Sequence, residues 1–577
     1  MLPLLKQWQI APRIPPQVDE TLSGYHPVLR QILYNRGCGD PDIADRFLNA
    51  SPPPETDPFK LKNIDQAVDR IRWAIHKEEP IIIYGDYDVD GVTATTLLIE
   101  CLRGLGAKVE GYIPNRFEEG YGLNIDALAN LKQDGVKLVI TVDCGIRSFP
   151  EAEYASQVDL DMIISDHHQP LAELPPALAI INPKQPGDIY PDNDLAGVGI
   201  AYKLASALWV KAVKEKKQNM NSPRQIESIL ESYHDLVALG TVADLAPLVG
   251  ENRHLVRSGL RKMSQSQRVG LRELVKVSGK DPTKITSTDI GFVLGPRLNA
   301  AGRLESALAA LELLLTSDVH RANVLAQQLD NQNRERQEVT RQLLKLAEES
   351  VVKDGFVPLL LFASGAEFNP GVIGLVASKL VDHYYRPAIV AHQGEEFTRA
   401  SCRSISEFHI TEALDQCADL MEHHGGHAAA AGFTIRNENV PLLIERLQDI
   451  AQEKLSALEL QPSLHADMEV SLTELNGLLS ELARLQPTGY GNPTPTFVSR
   501  GLQVKRFQPV GREKTHLKLT VTQGQVTFDG IAFQQGHWVE HMPKYVDLLY
   551  RLEENEFAGI NSLQLNIIDI KPSSINP

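Results

Sequence analysis

The chain has 577 residues, 43% hydrophobic and 23% charged, with a formal net charge of −17; that is too much chain for one hydrophobic core and points to roughly two to four domains. Its acidity excludes a molecule coated in basic surface, although not a local basic channel. No apolar run is long enough to span a bilayer, and Cys38, Cys101, Cys144, Cys402 and Cys417 form no C-x-x-C, so neither a zinc ribbon nor a disulfide framework is expected. The opening MLPLLKQWQIAPRIPPQ loses its apolar character at Lys6 and Gln7 and does not read as a signal peptide, which makes the cytoplasm the expected compartment.

Residues 1–60 read as a Pro-rich lead-in with one helical piece, HPVLRQILYNRG. A βα alternation follows over 61–317: PIIIY as strand, GVTATTLLIECLRGLG as helix opening at Gly91, AKVEGYIP as strand, NIDALANLKQDG as helix, then VKLVITVD, LDMIISD and LAIIN as strands. Apolar strands separated by helices predict a mostly parallel sheet covered on both faces. VKEKKQNMNSPRQIES reads as an exposed insertion, and the polar stretch over 318–352, free of Gly and Pro, as a long linker helix. VPLLLFAS, GVIGLVASKLVDHY and RPAIVAHQ predict a second, smaller α/β unit over 353–460. Over 461–577, beyond LQPTGYGNPTPTF, short strands at even spacing predict a small antiparallel barrel.

In YGDYDVDG, Asp86, Asp88 and Asp90 crowd the end of an apolar strand. Like charges so close repel unless a cation or several donors offset them. Alone, D-x-D-x-D also fits a solvated turn. Here VITVDCG adds Asp143 and IISDHHQP adds Asp166, His167 and His168, each just past its own strand, at the edge where open α/β sheets hold ligands. Carboxylates with imidazole and no thiol suit Mn²⁺ or Mg²⁺ better than a zinc cage.

YGDYDVDG, VDCG and SDHH together resemble the DHH phosphoesterase superfamily. NRFEEGYGLN, INPKQ, LAGVGIAYKL, LGTVADLAPL and GPRLNAAGRL narrow the resemblance to the RecJ family of single-strand-specific 5′→3′ exonucleases, from about Ile64 to the C-terminus. The resemblance implies two metal ions, with Asp88 on one and Asp90 on the other, Asp86 a further ligand, Asp143 bridging, His167 on the second ion and Asp244 on the first. It also implies that Asp166 orients His167 and that a neutral His168 faces the scissile phosphate. GGHAAAAGF and SCRS resemble the family's DHHA1 domain, in which a Gly-Gly-His loop (Gly425, Gly426, His427) and Arg403 hold substrate, and the barrel resembles its OB-fold, with Phe507, Phe528, Phe533 and Trp538 as candidate stacking or core aromatics. Arg116, Arg303, Ser401 and Arg403 match family positions that bind a terminal 5′-phosphate. Asn369 stands where relatives commonly carry His, which puts one substrate-domain contact in question.

The expected function is metal-dependent hydrolysis of single-stranded DNA to 5′-mononucleotides in recombination and repair, by a monomer served by single-strand-binding protein and a RecQ-type helicase. The alternatives are a short-oligonucleotide or cyclic-dinucleotide phosphodiesterase of the same superfamily, and a nonenzymatic scaffold. An OB-fold favours long strands, and the full set of residues able to ligate disfavours the scaffold.

Overall fold

The structure is a computed structural model that describes residues 6–115, 119–120, 122–215, 223–304, 306–352, 355–475, 477–557 and 560–574. It divides into two compact units: Trp8–Leu329 with His465–Pro577, and Met1–Gln7 with Asp330–Leu464. The boundary at Leu329 falls within the long helix Val319–Val351. Among the described residues no helix is long and apolar enough to cross a membrane.

The larger unit is built on a parallel sheet in the order Lys108–Tyr112, Pro80–Gly85, Leu138–Val142, Asp161–Ser165, Ala179–Ile181. Alternate residues of its strands feed two cores. Ile81, Ile83, Leu138 and Ile140 pack with the helices Val89–Gly104, Gly197–Glu215 and His234–Ala243, while Ile82, Tyr84, Val139 and Ile164 pack with Ile125–Gln133 and Phe149–Gln157. Burial on both faces is why these strands read as continuous apolar runs. The helix after the first motif starts at Val89, two residues before Gly91, because Asp88 caps it, Oδ1 accepting from Asp90 N at 2.9 Å and Gly91 N at 3.1 Å.

The C-terminal barrel closes through Phe497–Val510, which pairs with both His516–Gln523 and Tyr545–Phe557. Among the described residues its strands pair antiparallel except Val526–Ala532 against Ile560–Pro572 and the short strand Met468–Glu469 against Phe497–Val510, which are parallel. The lead-in departs from expectation, since it holds three helices, Pro16–Thr21, Pro27–Asn35 and Pro41–Asn49. Each opens on a proline at a position where the missing N–H costs nothing, so a Pro-rich stretch conceals helix starts. Their Leu22, Leu29, Ile32 and Leu33 share one core with Leu475, Leu482 and the barrel's Phe497 and Tyr550. The expected insertion, 213–228, begins in the last turn of the helix Gly197–Glu215 and ends inside a further helix, Pro223–Ser232.

One side chain fastens these parts to the sheet domain. Arg253, on the helix Gly250–Met263, is 1% exposed. Its guanidinium donates to the carbonyls of Phe47 at 2.8 Å, Leu485 at 3.0 Å, Pro487 at 2.9 Å, Gln486 at 3.1 Å and Arg484 at 3.4 Å, and lies 4.1 Å from the Phe47 ring centre.

The smaller unit is a five-stranded sheet in the order Met421–His427, Ala430–Arg436, Phe397–Arg403, Ala388–Gln393, Leu361–Gly365, parallel only in its last pair. Gly425 and Gly426 lie in its edge ladder opposite Gly432 and Ala431, so the expected Gly-Gly-His loop is a β-hairpin arm. Short side chains in both strands let that pairing continue.

Candidate metal centre

The parallel sheet brings its strand-end residues together. Ligand-capable atoms of Asp86, Asp88 and Asp143 lie within 4.8 Å of one another, as do those of Asp90, His167 and Asp244, and of Asp143, His167 and His168. Asp143 belongs to two of these groups and His167 to two, so the sets form one continuous cluster.

Asp143 is held at φ +61° with its N–H donating to Ser165 O at 3.0 Å, a left-handed conformation that Asp tolerates better than most residues. Gly197 makes room for it, since a Cβ there would lie 2.8 Å from that of Asp143. Asp90 is gripped by the start of the helix Gly197–Glu215, with Gly197 N donating to Oδ2 at 2.7 Å and Val198 N to Oδ1 at 2.8 Å. Both Asp90 oxygens therefore carry backbone bonds in addition to facing the cluster. Asp244 is the C-cap of the helix His234–Ala243.

The two histidines are held differently. Asp166 Oδ1 accepts from His168 N at 3.0 Å and pairs with His168 Nδ1 at 2.7 Å, while Oδ2 accepts from Ile146 N at 2.9 Å. Asp166 thus orients His168, not His167, because a bend of two residues returns the second imidazole to its own aspartate. Burial is the largest influence on His168 and works against charge there, but the Asp166 bond together with the charges of Asp166 and Asp244 outweighs it and raises the imidazole pKa, so the ring takes up a proton more readily than the neutral role expected for it. His167 is set from its backbone, Lys184 Nζ donating to its carbonyl at 2.6 Å. Asn182 Nδ2 donates to the His168 carbonyl at 2.9 Å, and Asn182 Oδ1 accepts Lys184 N at 2.8 Å.

His167 Nε2 lies 3.1 Å from Asp143 Oδ1 and 3.7 Å from Asp244 Oδ2. Among the described residues neither His167 Nε2 nor Asp143 Oδ1 has a hydrogen-bond partner, although both are buried. Buried polar atoms left so are costly. Burial and then the charges of Asp90, Asp88, Asp86 and Asp244 push the Asp143 pKa far up; burial, Asp244 and Asp88 do the same to Asp90. Burial and then Asp88 raise Asp244 to about 7. Burial and the neighbouring His168 lower His167 to about 3, which keeps its imidazole neutral with a free lone pair. Oxygen and neutral nitrogen donors facing one point fit divalent cations, which would relieve the repulsion.

The remaining candidate residues lie on other elements. Arg303 is half-buried on the helix Gly295–Leu304, and Arg116 lies outside the described residues. In the smaller unit Arg403 Nη1 donates to Ser401 Oγ at 3.2 Å. Both face the start of the helix Ile373–Tyr384, where a Cβ on Gly374 would lie 3.0 Å from Ser401 Oγ and 3.2 Å from Arg403 Nη2. Guanidinium, hydroxyl and helix N-terminus form an anion-accepting corner. Asn369 shapes the turn before it, Oδ1 accepting Gly371 N at 2.7 Å. His427 is exposed at the end of the edge strand. Of the barrel aromatics, Phe528 is core and Trp538 packs against it, while Phe507 and Phe533 are exposed.

Sequence reasoning missed the positioning groups: Gly197 and Val198 on Asp90, Asn182 and Lys184 behind the histidines, and Asn299, whose Oδ1 accepts Val89 N at 3.0 Å. They lie in LAGVG, INPKQ and GPRLNAAG, motifs visible as strings whose contacts only the fold supplies.

Three family models match the chain: the DHH family N-terminal domain over residues 80–241, the DHHA1 domain over 356–453 and the RecJ OB domain over 466–569. The chain is 38% identical over 576 residues to the single-stranded-DNA-specific exonuclease RecJ of Bacillus subtilis, covering 99% of this chain and 71% of that one. It is 34% identical over 578 residues to the Escherichia coli protein of the same name, covering 96% and 98%. Among solved structures it resembles Thermus thermophilus RecJ in complex with Mn²⁺, with a TM-score of 0.83, 28% identity and coverage of 99% and 80%; a Mg²⁺ complex of that protein matches with a TM-score of 0.77 and 27% identity, covering 98% and 79%.

Proposed function

Since the chain belongs to the RecJ family of single-stranded-DNA-specific exonucleases, we propose that it hydrolyses single-stranded DNA from the 5′ end to 5′-mononucleotides, in recombination and repair, at a two-ion Mn²⁺ or Mg²⁺ centre. The observation that carries this reading is the continuous cluster in which Asp143 and His167 each belong to two ligand-capable groups. Asp143 is assigned the bridge, Asp88 and Asp244 one ion, Asp90 and His167 the other, with Asp86 supporting. Held by these residues, two divalent ions would supply a water of lowered pKa and would offset charge on the phosphate oxygens. His168, held by Asp166 with its side chain 41% exposed, donates to a phosphate oxygen as that charge develops.

End selection is assigned to cations that suit a dianionic terminal phosphate: Arg303 in the larger unit and, in the smaller, Arg403 with Ser401 at the helix start, where Gly425, Gly426 and His427 also contact the strand. The RecJ OB match supports long strands over a cyclic dinucleotide. A net charge of −17 gives the chain little nonspecific attraction to DNA. We accordingly propose that a monomer in the cytoplasm is delivered by single-strand-binding protein and a RecQ-type helicase, which gel filtration with light scattering, alone and with each purified partner, would refute by showing an oligomer or no co-migration.

The central test is a single strand labelled at either end and incubated with Mn²⁺, beside a duplex. Label is released first as mononucleotide from the 5′-labelled strand, chelator stops the reaction, and 5′-phosphorylated strands react faster than 5′-hydroxyl ones, a preference that shrinks in Arg303→Ala and Arg403→Ala. Release from the 3′ end first, or equal loss of duplex, overturns the proposal.

A further inference from the structure

A cavity of about 730 Å³ opens within the larger unit between the helices Gly197–Glu215, Pro223–Ser232 and Gly250–Met263 and the segment 49–52, a size usual for small-molecule sites. His234 lies at its base and is the first residue of the helix His234–Ala243, which Asp244 caps at the other end. At 1.5 Å per residue that helix sets the base of the cavity about 15 Å from Asp244. The cavity is therefore separate from the metal centre.

Its walls differ in chemistry. On the helix Gly250–Met263, His254, Arg257, Ser258 and Arg261 recur at spacings of three and four, which puts them on one face, and all four line the cavity. Two of them also have a structural use: His254 Nδ1 donates to Ala50 O at 2.9 Å and Arg257 Nη1 donates to Leu48 O, which ties down the end of the helix Pro41–Asn49. The remaining N–H groups of Arg257 and the whole guanidinium of Arg261 have no hydrogen bond or ion pair to a described residue. Burial and then the charge of Arg261 lower the Arg257 pKa, so two cations stand one turn apart with no carboxylate bonded to either among the described residues. The facing helix, Pro223–Ser232, supplies Ile226 and Leu230 as an apolar surface, with Glu227 exposed beside them and Glu231 engaged by Lys262 at 2.7 Å. At the base His234 joins Ser258 Oγ at 2.7 Å and Tyr202 OH at 3.0 Å. Burial and then His254 lower its pKa to about 4, so this floor is polar and uncharged.

We propose that the cavity binds a nucleoside 5′-monophosphate. The phosphate lies between Arg257 and Arg261, where a dianion relieves the repulsion of two like charges and takes the N–H groups they leave unused. Two guanidinium groups and the Ser258 hydroxyl outnumber the two oxygens of a carboxylate, whereas a terminal phosphate offers three. The base covers Ile226 and Leu230, and Glu227 on the same wall accepts its N–H. An internal phosphodiester carries one charge and two free oxygens, so the site suits a free nucleotide over the interior of a strand. The binding does not depend on the exonuclease reading. If the chain releases mononucleotides, however, the ligand is its own product, and the cavity fills as digestion proceeds.

The test is photolabelling of the full-length protein in Mn²⁺ with 5-iodo-2′-deoxyuridine 5′-monophosphate, the attachment sites being read by peptide mass spectrometry. Label should fall on peptides carrying Tyr202, His234 or His254. Excess thymidine 5′-monophosphate should suppress it, where thymidine or inorganic phosphate at the same concentration does not. The half-saturating concentration should rise about tenfold in Arg261→Ala, the low end for a hydrogen bond to a charged group, and further in Arg261→Glu. Arg261 is exposed and its side chain holds no described residue, so both variants fold, which a thermal melt checks. Absence of label from those peptides, an unchanged half-saturation in Arg261→Glu, or equal competition by thymidine or by inorganic phosphate overturns the proposal. None of these readouts involves cleavage, so a protein that degrades no single strand yet is labelled in this pattern overturns the exonuclease reading alone.

Discussion

Two buried charged clusters in the larger unit are built on opposite terms. Among the described residues Arg253 has no carboxylate partner, yet carbonyls from two stretches of backbone, Phe47 and residues 484–487, receive its guanidinium. Asp143 is equally buried, surrounded by other acids, and has an oxygen without a hydrogen-bond partner among the described residues. The first cluster is complete as it stands and holds the sheet domain, the N-terminal helices and the barrel connector together. The second is complete only with cations. Satisfied burial therefore marks a structural joint, and unsatisfied burial of like charges marks a ligand site.

The strongest way to break the comparison is Asp143→Asn, which keeps the shape and the left-handed backbone and removes the charge. Activity with Mn²⁺ should fall by about 10³-fold or more, since several kcal/mol of ion-dependent stabilisation goes with it. In chelator the same variant should melt no lower than wild type, because one of several crowded buried carboxylates has been neutralised. Thermal melts and a nuclease assay on one preparation check both halves; a variant that keeps near-normal turnover removes Asp143 from the bridge.

Arg253→Met should give the opposite pattern. Urea denaturation should show a loss of about 3–5 kcal/mol, the range for stripping a buried charge of its role and leaving its partners unpaired. The low end is favoured, because Leu485 O and Pro487 O also accept from Asn492 Nδ2, at 2.9 and 2.8 Å, and keep that partner. Mn²⁺ affinity by calorimetry should remain within about twofold, less than half a kcal/mol. A stable variant with weakened metal binding would reverse the assignment of the two clusters.

The two clusters were not equally legible in the sequence. The strand ends carrying Asp86, Asp88, Asp90, Asp143 and Asp166 could be found because a buried parallel strand is a continuous apolar run and charges at its end stand out. The parallel sheet, the linker helix and the barrel followed from the same periodicities. Asp244 sits at the end of an apolar helix, where a lone aspartate reads as a cap, and only a family motif singled it out. Arg253 lies in GENRHLVRSG, which reads as one charged turn of an ordinary surface helix. Its burial is decided by Phe47 and by residues 484–487, over 200 positions away in each direction. The three N-terminal helices were hidden for a related reason, because they complete a core whose other half is the barrel. The partner of Asp166 turned on the local bend between His167 and His168, which composition does not encode.

Proton linkage separates the clusters by a smaller effect. In the metal-free protein, burial and then Asp88 raise Asp244 to about 7 from the ordinary aspartate value of 3.8. Between those two values the folded chain holds a proton that the unfolded chain has released, so this group makes metal-free stability fall as pH rises through that window, and flatten above it. Cation binding must expel the same proton, so Mn²⁺ affinity should run the other way. It should weaken as pH falls below about 7, approaching tenfold, or about 1.4 kcal/mol, per pH unit for each proton displaced. Calorimetry in two buffers of different ionisation enthalpy should find about one more proton released per binding event at pH 6 than at pH 8. Asp244→Asn should bind Mn²⁺ more weakly at every pH and lose that additional release. Arg253→Met should leave the proton count unchanged, since its guanidinium is not among the groups that shift Asp244. Equal release at both pH values in the wild type would remove Asp244 from the frustrated set and leave Asp90 and Asp143 as its buried members.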